Sequence, residues 1–343
     1  MPIPPWPLPA NAPSGLLPRL TGVQMLSVGA FAPPQVVPNE DLAHLGCDPQ
    51  WIIQRTGIRE RRKAADGVAT SDLAAEAARR CLAAAGVSAA EVDLIVLATM
   101  TPDSATPSTA CRVQALIGAA CPAMDLNAAC SGFMYALATG MQFVKTGCAR
   151  RVLVIGAEVM TRQVNPADVK TYPLFGDGAG AALLGAGGDD QGFLSYSLGA
   201  DGRGGCMLEV PAGGSREPLT AAGLAAGRQY MTMEGRAVFK WAVRLLSESV
   251  TAVLSAAALA PADIDYFVLH QANRRILDAA AANLGFDPAR VVMNLDRYGN
   301  TSAASIPLVL DELREAGRLQ RGQKLLLCGF GAGLTWGTGI FQL

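Results

Sequence analysis

Asp265-Tyr266-Phe267-Val268-Leu269-His270 echoes Asp93-Leu94-Ile95-Val96-Leu97-Ala98 at an offset of 172 positions, and this echo decides the fold. Two more follow in the same order. Met293-Asn294-Leu295-Asp296 echoes Met124-Asp125-Leu126-Asn127 at an offset of 169, and Leu325-Leu326-Leu327-Cys328-Gly329 echoes Val152-Leu153-Val154-Ile155-Gly156 at 173. Three echoes at nearly one offset predict two copies of one βα unit about 170 residues long, too long for a solenoid repeat. The strands are continuous apolar runs rather than alternating ones, the pattern of strands covered by helices on both faces. Helical patterns separate them over 71–85, 131–146, 233–257, 274–284 and 302–316. The expected fold class is α/β, with two sheets and a helical layer between them. Phe133, Met134, Tyr135, Leu137, Met141, Phe143 and Val144 point nearly all round a helix, so that helix is expected to be buried on every side.

The 343 residues, half of them hydrophobic, suffice for a large core. The formal charge of −1 gives no global attraction to nucleic acid or to an acidic membrane surface. No apolar run reaches bilayer-spanning length. The start is proline-rich and lacks the basic and apolar regions of a secretory signal, so 1–19 is read as a flexible tail. The eight cysteines show no CxxC pair and no metal-ligand spacing. They are expected to be reduced, mostly buried thiols of a cytoplasmic protein, with no metal site.

Three strings end an apolar strand on a chemically useful residue. The run Tyr266 to Leu269 stops at His270-Gln271-Ala272-Asn273. The run Met124 to Ala129 enters Cys130-Ser131-Gly132-Phe133, and Val291-Val292-Met293-Asn294-Leu295, read as a strand, leads to Tyr298-Gly299-Asn300-Thr301-Ser302. The chain has two histidines, and His44, in an early amphipathic segment, has no crowd of polar partners. His270 is therefore the histidine expected to do chemistry. Cys130 precedes a helix, whose first N–H groups favour negative charge and so raise the thiolate fraction. By the duplication Cys130 and Asn300 occupy corresponding places, which face each other across a pseudo-twofold junction.

A Cys-His-Asn set has two main uses. In a cysteine protease the asparagine orients the histidine, which deprotonates the cysteine. In carbon–carbon condensation the cysteine carries an acyl group while the histidine and asparagine hold two N–H donors on a developing enolate. The duplicated βα unit and the buried helix favour condensation. The Gly-rich turn Cys328-Gly329-Phe330-Gly331-Ala332-Gly333 could add backbone donors. Gly176-Asp177-Gly178-Ala179-Gly180 lacks both GxGxxG spacing and a Walker lysine, so no nucleotide site is expected there.

Taken together the strings resemble β-ketoacyl-acyl-carrier-protein synthase III, of the thiolase superfamily, from about residue 22 to the end. The strings that carry the resemblance are Trp51-Ile52-Ile53-Gln54-Arg55-Thr56-Gly57-Ile58-Arg59-Glu60-Arg61, Ala128-Ala129-Cys130-Ser131-Gly132-Phe133, Phe175-Gly176-Asp177-Gly178-Ala179-Gly180, His270-Gln271-Ala272-Asn273 and Gly299-Asn300-Thr301-Ser302-Ala303-Ala304-Ser305. The resemblance implies thiolase-like duplicated halves in five layers, α-β-α-β-α, here 20–190 with the cysteine and 191–343 with His270 and Asn300. It implies a decarboxylating condensation of an acyl-CoA starter with malonyl-acyl carrier protein, initiating type II fatty acid synthesis. Cys130 would accept the acyl group, and His270 and Asn300 would promote decarboxylation. Phe330 would face the malonyl carboxylate, and the N–H groups of Cys130 and Ala332 would form the oxyanion hole. Ala332 stands where many relatives have glycine, so a backbone of positive φ there would be strained.

The resemblance further implies that Trp51, Arg55, Asn273 and Arg236 contact CoA or its pantetheine arm. Lys240, Arg274 and Arg275 would dock acyl carrier protein, aided by Arg236. It implies a homodimer and no cofactor. Three positions depart from the family. Val169, next to Lys170, replaces an adenine-sandwiching arginine. Ala282 and Asn283 replace basic docking positions. Thr106 replaces a bulky acyl-pocket phenylalanine, so starters larger than acetyl are expected. The alternatives are a related acyltransferase, a condensing enzyme of a specialised, polyketide-like pathway, or a non-catalytic carrier-binding protein. Hydroxymethylglutaryl-CoA synthase-like chemistry needs a glutamate near the cysteine, and none is read as placed there.

Overall fold

The computed structural model describes residues 18–343, so most of the tail expected over 1–19 lies outside the described residues. Two five-stranded sheets dominate. The first runs in the order Val23–Phe31, Asp177–Ala186, Arg151–Val159, Leu94–Ala98, Ala123–Leu126. The second runs Leu20–Thr21, Gly192–Ala200, Thr335–Gln342, Lys324–Gly331, Tyr266–Leu269. From Val23–Phe31 and from Gly192–Ala200 the successive pairings match: antiparallel, antiparallel, then parallel. Two of the three echoes, 93–98 with 265–270 and 152–156 with 325–329, are thus equivalent strands of two like sheets. Leu20–Thr21 is added at the outer edge of the second sheet, antiparallel to Gly192–Ala200.

Helices fill three layers around these sheets. Thr70–Ala85 and Thr109–Ile117 cover the outer face of the first sheet, where Leu73, Ala77 and Val113 join Ile95, Leu97 and Ile155. Gly235–Ala256 and Arg274–Leu284 cover the outer face of the second, where Leu246, Val250 and Leu277 join Phe267, Leu269 and Leu326. Gly132–Lys145 and Ser305–Glu315 lie between the sheets, in one core with Val96 and Val154 from one side and Val268, Leu327 and Phe341 from the other. The five layers are α-β-α-β-α. Phe133, Leu137 and Met141 are wholly buried, and truncating a phenylalanine in such a core costs about 3–5 kcal/mol. The central helix is not enclosed on every side, however. Tyr135 and Phe143 are half-buried, and the Tyr135 hydroxyl donates to Gly199 O at 2.8 Å.

Two expectations are corrected by packing. Val291-Val292-Met293-Asn294-Leu295 is not a strand: Val291 makes a single parallel bridge to Phe267, and Val292 N donates to Phe267 O at 3.1 Å. Asn294 then leaves the extended region (φ −140°, ψ 8°), and a short helix Leu295–Tyr298 follows. The Gln271 carboxamide oxygen takes Asn294 N at 3.1 Å, where a strand partner would otherwise bond. The cysteines are free, but only Cys81, Cys130 and Cys328 are buried; Cys111, Cys148 and Cys206 lie on exposed helix and turn positions.

Candidate active site

Cys130 sits in the single turn Ala129–Ser131 that opens the central helix Gly132–Lys145. Ala129 is held at φ 46°, a conformation alanine rarely adopts, so the turn is set by what surrounds it. The Ser131 and Thr335 hydroxyls lie 2.9 Å apart and both bond Ala128 O, which ties the turn to the hairpin of the second sheet. That hairpin comes very close. A Cβ on Gly331 would stand 2.8 Å from Cys130 Cβ and 2.9 Å from Cys130 N, so only glycine fits. The same approach sets Ala332 beside the cysteine. Ala332 is not among the residues with positive φ, so the strain conditional on such a backbone does not arise.

His270 follows Tyr266–Leu269, and its N–H donates to Cys328 O at 2.7 Å, extending the strand pairing by one bond. Its side chain is buried, with Nδ1 2.7 Å from Ser305 Oγ, at the start of the second central helix. The Phe330 ring meets the imidazole edge-on at 5.3 Å between centroids. Burial pushes the His270 imidazole down to about 3, so it is neutral at physiological pH. Asn300 is pinned through its backbone: its N–H donates to Leu174 O at 2.8 Å and its carbonyl accepts from Gly176 N at 3.1 Å. Its carboxamide oxygen accepts from Ser302 N at 2.8 Å, leaving the NH2 as the end available to the cavity.

Cys130, His270 and Asn300 line one cavity of about 850 Å³, together with Phe330 and Ala332. The three are buried. Arg55, Lys170, Arg236, Lys240 and Arg275 line the same cavity and are exposed, so a ring of cations surrounds its open end, with Glu234 the acidic residue among them. Trp51 also lines it, with the Arg55 guanidinium 5.6 Å from the indole centroid. Val169 is part of the wall next to Lys170. Asn273 reaches the wall too, but both ends of its amide are engaged. Its oxygen caps the helix Arg274–Leu284 through Arg275 N at 2.9 Å, and its NH2 donates to Arg55 O at 3.2 Å.

Some predicted residues lie elsewhere. Thr106 is exposed on the loop after Leu94–Ala98, which Asp103 ties to Ser71 at the start of Thr70–Ala85, and is not part of this chain's cavity wall. Arg274 lies outside the wall and pairs with Asp278 at 3.4 Å. His44 is exposed, bonded through Nδ1 to Asp41 O at 3.1 Å. Gly176 and Gly180 serve close packing: added Cβ atoms would meet Tyr298 O at 2.2 Å and Pro307 Cβ at 2.6 Å.

The thiol is corrected in one respect. Burial pushes the Cys130 thiol up to about 12, so the resting group is a neutral thiol rather than the thiolate expected from the helix start. The protease arrangement is not formed either: His270 Nδ1 is bonded to Ser305, not to Asn300, and an imidazole that ionises near 3 is a poor base.

The family models agree with this geometry. Residues 124–202 match 3-oxoacyl-[acyl-carrier-protein] synthase III, and residues 254–343 match the C-terminal part of the same family. The beta-ketoacyl-[acyl-carrier-protein] synthase III of Rhodopirellula baltica is 55% identical over 342 residues, covering 94% of this chain and 99% of the relative. The chain belongs to the β-ketoacyl-acyl-carrier-protein synthase III family. The synthase III of Desulfitobacterium hafniense is 46% identical, covering 94% and 98% of the two chains. The solved synthase III of Thermus thermophilus superposes with a TM-score of 0.86 at 42% identity, covering 93% of this chain and 99% of that one.

Sequence reasoning missed Glu158, Ser302 and Ser305. Glu158 is wholly buried in Arg151–Val159 and accepts from Ser302 Oγ at 3.0 Å, on the turn Ser302–Ala304 that packs against the turn Ala129–Ser131 carrying Cys130. A glutamate is therefore placed near the cysteine after all, though it does not line the cavity. A carboxylate inside Val152-Leu153-Val154-Ile155-Gly156-Ala157-Glu158-Val159 was the available signal, since such a group is rarely buried without a purpose.

Proposed function

We propose that this chain condenses an acyl-CoA starter with malonyl-acyl carrier protein, releasing CO2 and forming β-ketoacyl-acyl carrier protein, the opening step of type II fatty acid synthesis. The observation that carries this reading is one cavity with Cys130, His270 and Asn300 at its buried end and five cations around its open end. A buried thiol behind a cationic opening suits a long arm with an anionic head, which describes CoA and a phosphopantetheine carrier alike.

Cys130 attacks the starter thioester and CoA leaves. Malonyl carrier then enters. The His270 Nε2–H and the Asn300 NH2 stabilise the oxyanion as the carboxylate leaves as CO2, and the enolate carbon attacks the Cys130 thioester. A neutral His270 suits this role, since its Nε2–H is a donor at every physiological pH. Phe330 gives the malonyl carboxylate an apolar neighbour, which favours loss of the charge. The Cys130 and Ala332 N–H groups serve the acyl-transfer oxyanion. Trp51, Arg55, Lys170 and Arg236 hold CoA, with Lys170 taking the part that Val169 cannot. Lys240, Arg274 and Arg275 meet the acidic carrier, while Asn273 acts mainly by shaping the wall. The reaction needs no cofactor or metal, because CO2 release drives it.

The chain is proposed to work as a homodimer in the cytoplasm, its halves dividing at 190/191; among the described residues no helix is long and apolar enough to cross a membrane. Thr106, exposed on this chain, can bound an acyl chain only from a second copy. The reading as a related acyltransferase or specialised-pathway enzyme is not favoured, since the relatives above carry the synthase III name. The test is intact-protein mass after incubation with acetyl-, octanoyl- and dodecanoyl-CoA, followed by CO2 release from malonyl carrier. Acylation at Cys130 followed by CO2 and a β-ketoacyl carrier supports the reading. Acyl transfer without CO2 overturns it, and strong preference for acetyl-CoA removes the longer-starter expectation.

A further inference from the structure

Val152, Val154, Gly156 and Glu158 alternate along the strand Arg151–Val159, so all four face the layer between the sheets. Gly156 admits the turn Ser302–Ala304, since a Cβ there would stand 2.3 Å from Ala303 O. The duplication repeats this contact with the halves exchanged. Gly329 and Gly331 stand 173 positions after Gly156 and Glu158 (329 minus 156, 331 minus 158). They admit the turn Ala129–Ser131, with added Cβ atoms 3.0 Å from Ser131 Cα and 2.8 Å from Cys130 Cβ. Each sheet therefore seats the turn at the other half's reactive residue. Where the second half puts a glycine against Cys130, the first half puts a carboxylate behind Asn300.

That carboxylate is fully buried and held from two directions. Its Oε2 accepts from Thr99 Oγ1, Met100 N and Thr101 N, each at 3.1 Å, and from Thr101 Oγ1 at 2.5 Å. These four donors fix it against the loop after Leu94–Ala98. Its Oε1 accepts from Ser302 Oγ at 3.0 Å. Ser302 is wholly buried at φ 50°, a conformation that serine rarely adopts and that persists where its surroundings hold it. The Ser302 N–H donates to Asn300 Oδ1 at 2.8 Å. An asparagine amide has an acceptor at one end and donors at the other. The Ser302 N–H decides which end meets the cavity: turned over, the carboxamide would set its NH2 against that N–H and present its oxygen to the substrate.

We propose that Glu158 is a positioning residue for Asn300: by holding the Ser302 hydroxyl it keeps the turn seated, and the Ser302 N–H then keeps the Asn300 NH2 directed at the cavity. This rests on the reading of Asn300 as an oxyanion donor given above. Glu158 does not line the cavity, so it acts through its neighbours and not on substrate. Its effect falls on decarboxylation, the half-reaction that Asn300 serves, and spares the attack of Cys130 on the starter. The function asks for hydrogen bonds and not for charge. A glutamine at 158 can set its oxygen toward the four donors now on Oε2 and donate from its NH2 to Ser302 Oγ, which has lone pairs to accept.

The experiment reads two single-turnover rates: acylation of Cys130 by acyl-CoA, by intact mass, and CO2 release from malonyl carrier by the acylated enzyme. Burial pushes the Glu158 carboxyl up to about 7, so both are read at about pH 8.5, where it is ionised. The variants are Ser302→Ala, Glu158→Ala and Glu158→Gln, each alone and combined with Asn300→Ala. Ala129 already holds φ 46° in this site, so alanine at 302 fits the same backbone. Ser302→Ala and Glu158→Ala should each lower CO2 release about tenfold relative to acylation, the scale of one lost buried hydrogen bond. Glu158→Gln should stay within about threefold of wild type. With Asn300 already alanine, none of the three should cost anything further, because residues that act through one another do not add. Ser302→Ala releasing CO2 at the wild-type rate overturns the proposal, and it does so even where Glu158→Ala fails to fold. A tenfold loss that persists beside Asn300→Ala also overturns it, as does a Glu158→Gln as slow as Glu158→Ala. Asn300→Ala alone releasing CO2 at the wild-type rate overturns the reading of Asn300 as a donor, and the proposal with it.

Discussion

Replacing Ser305 by alanine should slow decarboxylation and leave acylation intact. Ser305 Oγ lies 2.7 Å from His270 Nδ1, and both residues are about 1% exposed, so water cannot easily take its place. For Nε2 to donate to the oxyanion, Nδ1 must be the bare nitrogen, and Ser305 must donate to it. The alanine variant leaves that nitrogen buried without a partner, which costs about 1–3 kcal/mol. The cost falls on the tautomer that the transition state needs, because the other tautomer turns a lone pair toward the oxyanion. At about 1.4 kcal/mol per tenfold, decarboxylation should fall about 5- to 150-fold. The assay is CO2 release from malonyl carrier by enzyme already acylated at Cys130, in a single turnover, beside the rate of acylation itself. Equal loss in both half-reactions, or no loss in either, would refute the assignment of Nε2 as the donor.

Cys130→Ser should show no covalent acylation by mass, since a buried hydroxyl is a far weaker nucleophile. His270→Ala and Asn300→Ala should each lower decarboxylation about 100- to 1000-fold, the worth of one oxyanion donor, with acylation reduced far less; a complete block of acyl transfer in His270→Ala would contradict the division of labour. Gly331→Ala should abolish acylation or unfold the hairpin, because its Cβ would stand 2.8 Å from Cys130 Cβ; wild-type activity in that variant is the result that counts against the geometry. His270, buried neutral, ionises near 3 against 6.5 for a free imidazole, so between those values the unfolded chain binds more protons. Its stabilising contribution is full above pH 6.5 and is lost as pH falls toward 3, at about 1.4 kcal/mol per unit. Chemical denaturation of wild type and His270→Asn at pH 7 and pH 5 should show wild type losing more.

The sequence alone determined the duplication, the two sheets and the three residues, Cys130, His270 and Asn300, that meet in one cavity. Each of these is written in local pattern: continuous apolar runs at one offset, and a polar residue where a run stops. The same local signal misled at 291–295, where an apolar run makes one bridge and turns away because Gln271, a neighbour only in space, binds Asn294. Cys130 was legible as the candidate nucleophile, but its protonation was not, since desolvation depends on the hairpin that Gly331 allows to press against it. Thr106 looked like a pocket residue in the linear string and lies on the outside of this chain. Glu158, Ser302 and Ser305 acquire their parts only through contacts 144 and 35 residues apart. Periodicity reports which face of an element is apolar; it carries nothing about which hydroxyl meets which carboxylate across two sheets, and tertiary packing alone decided that.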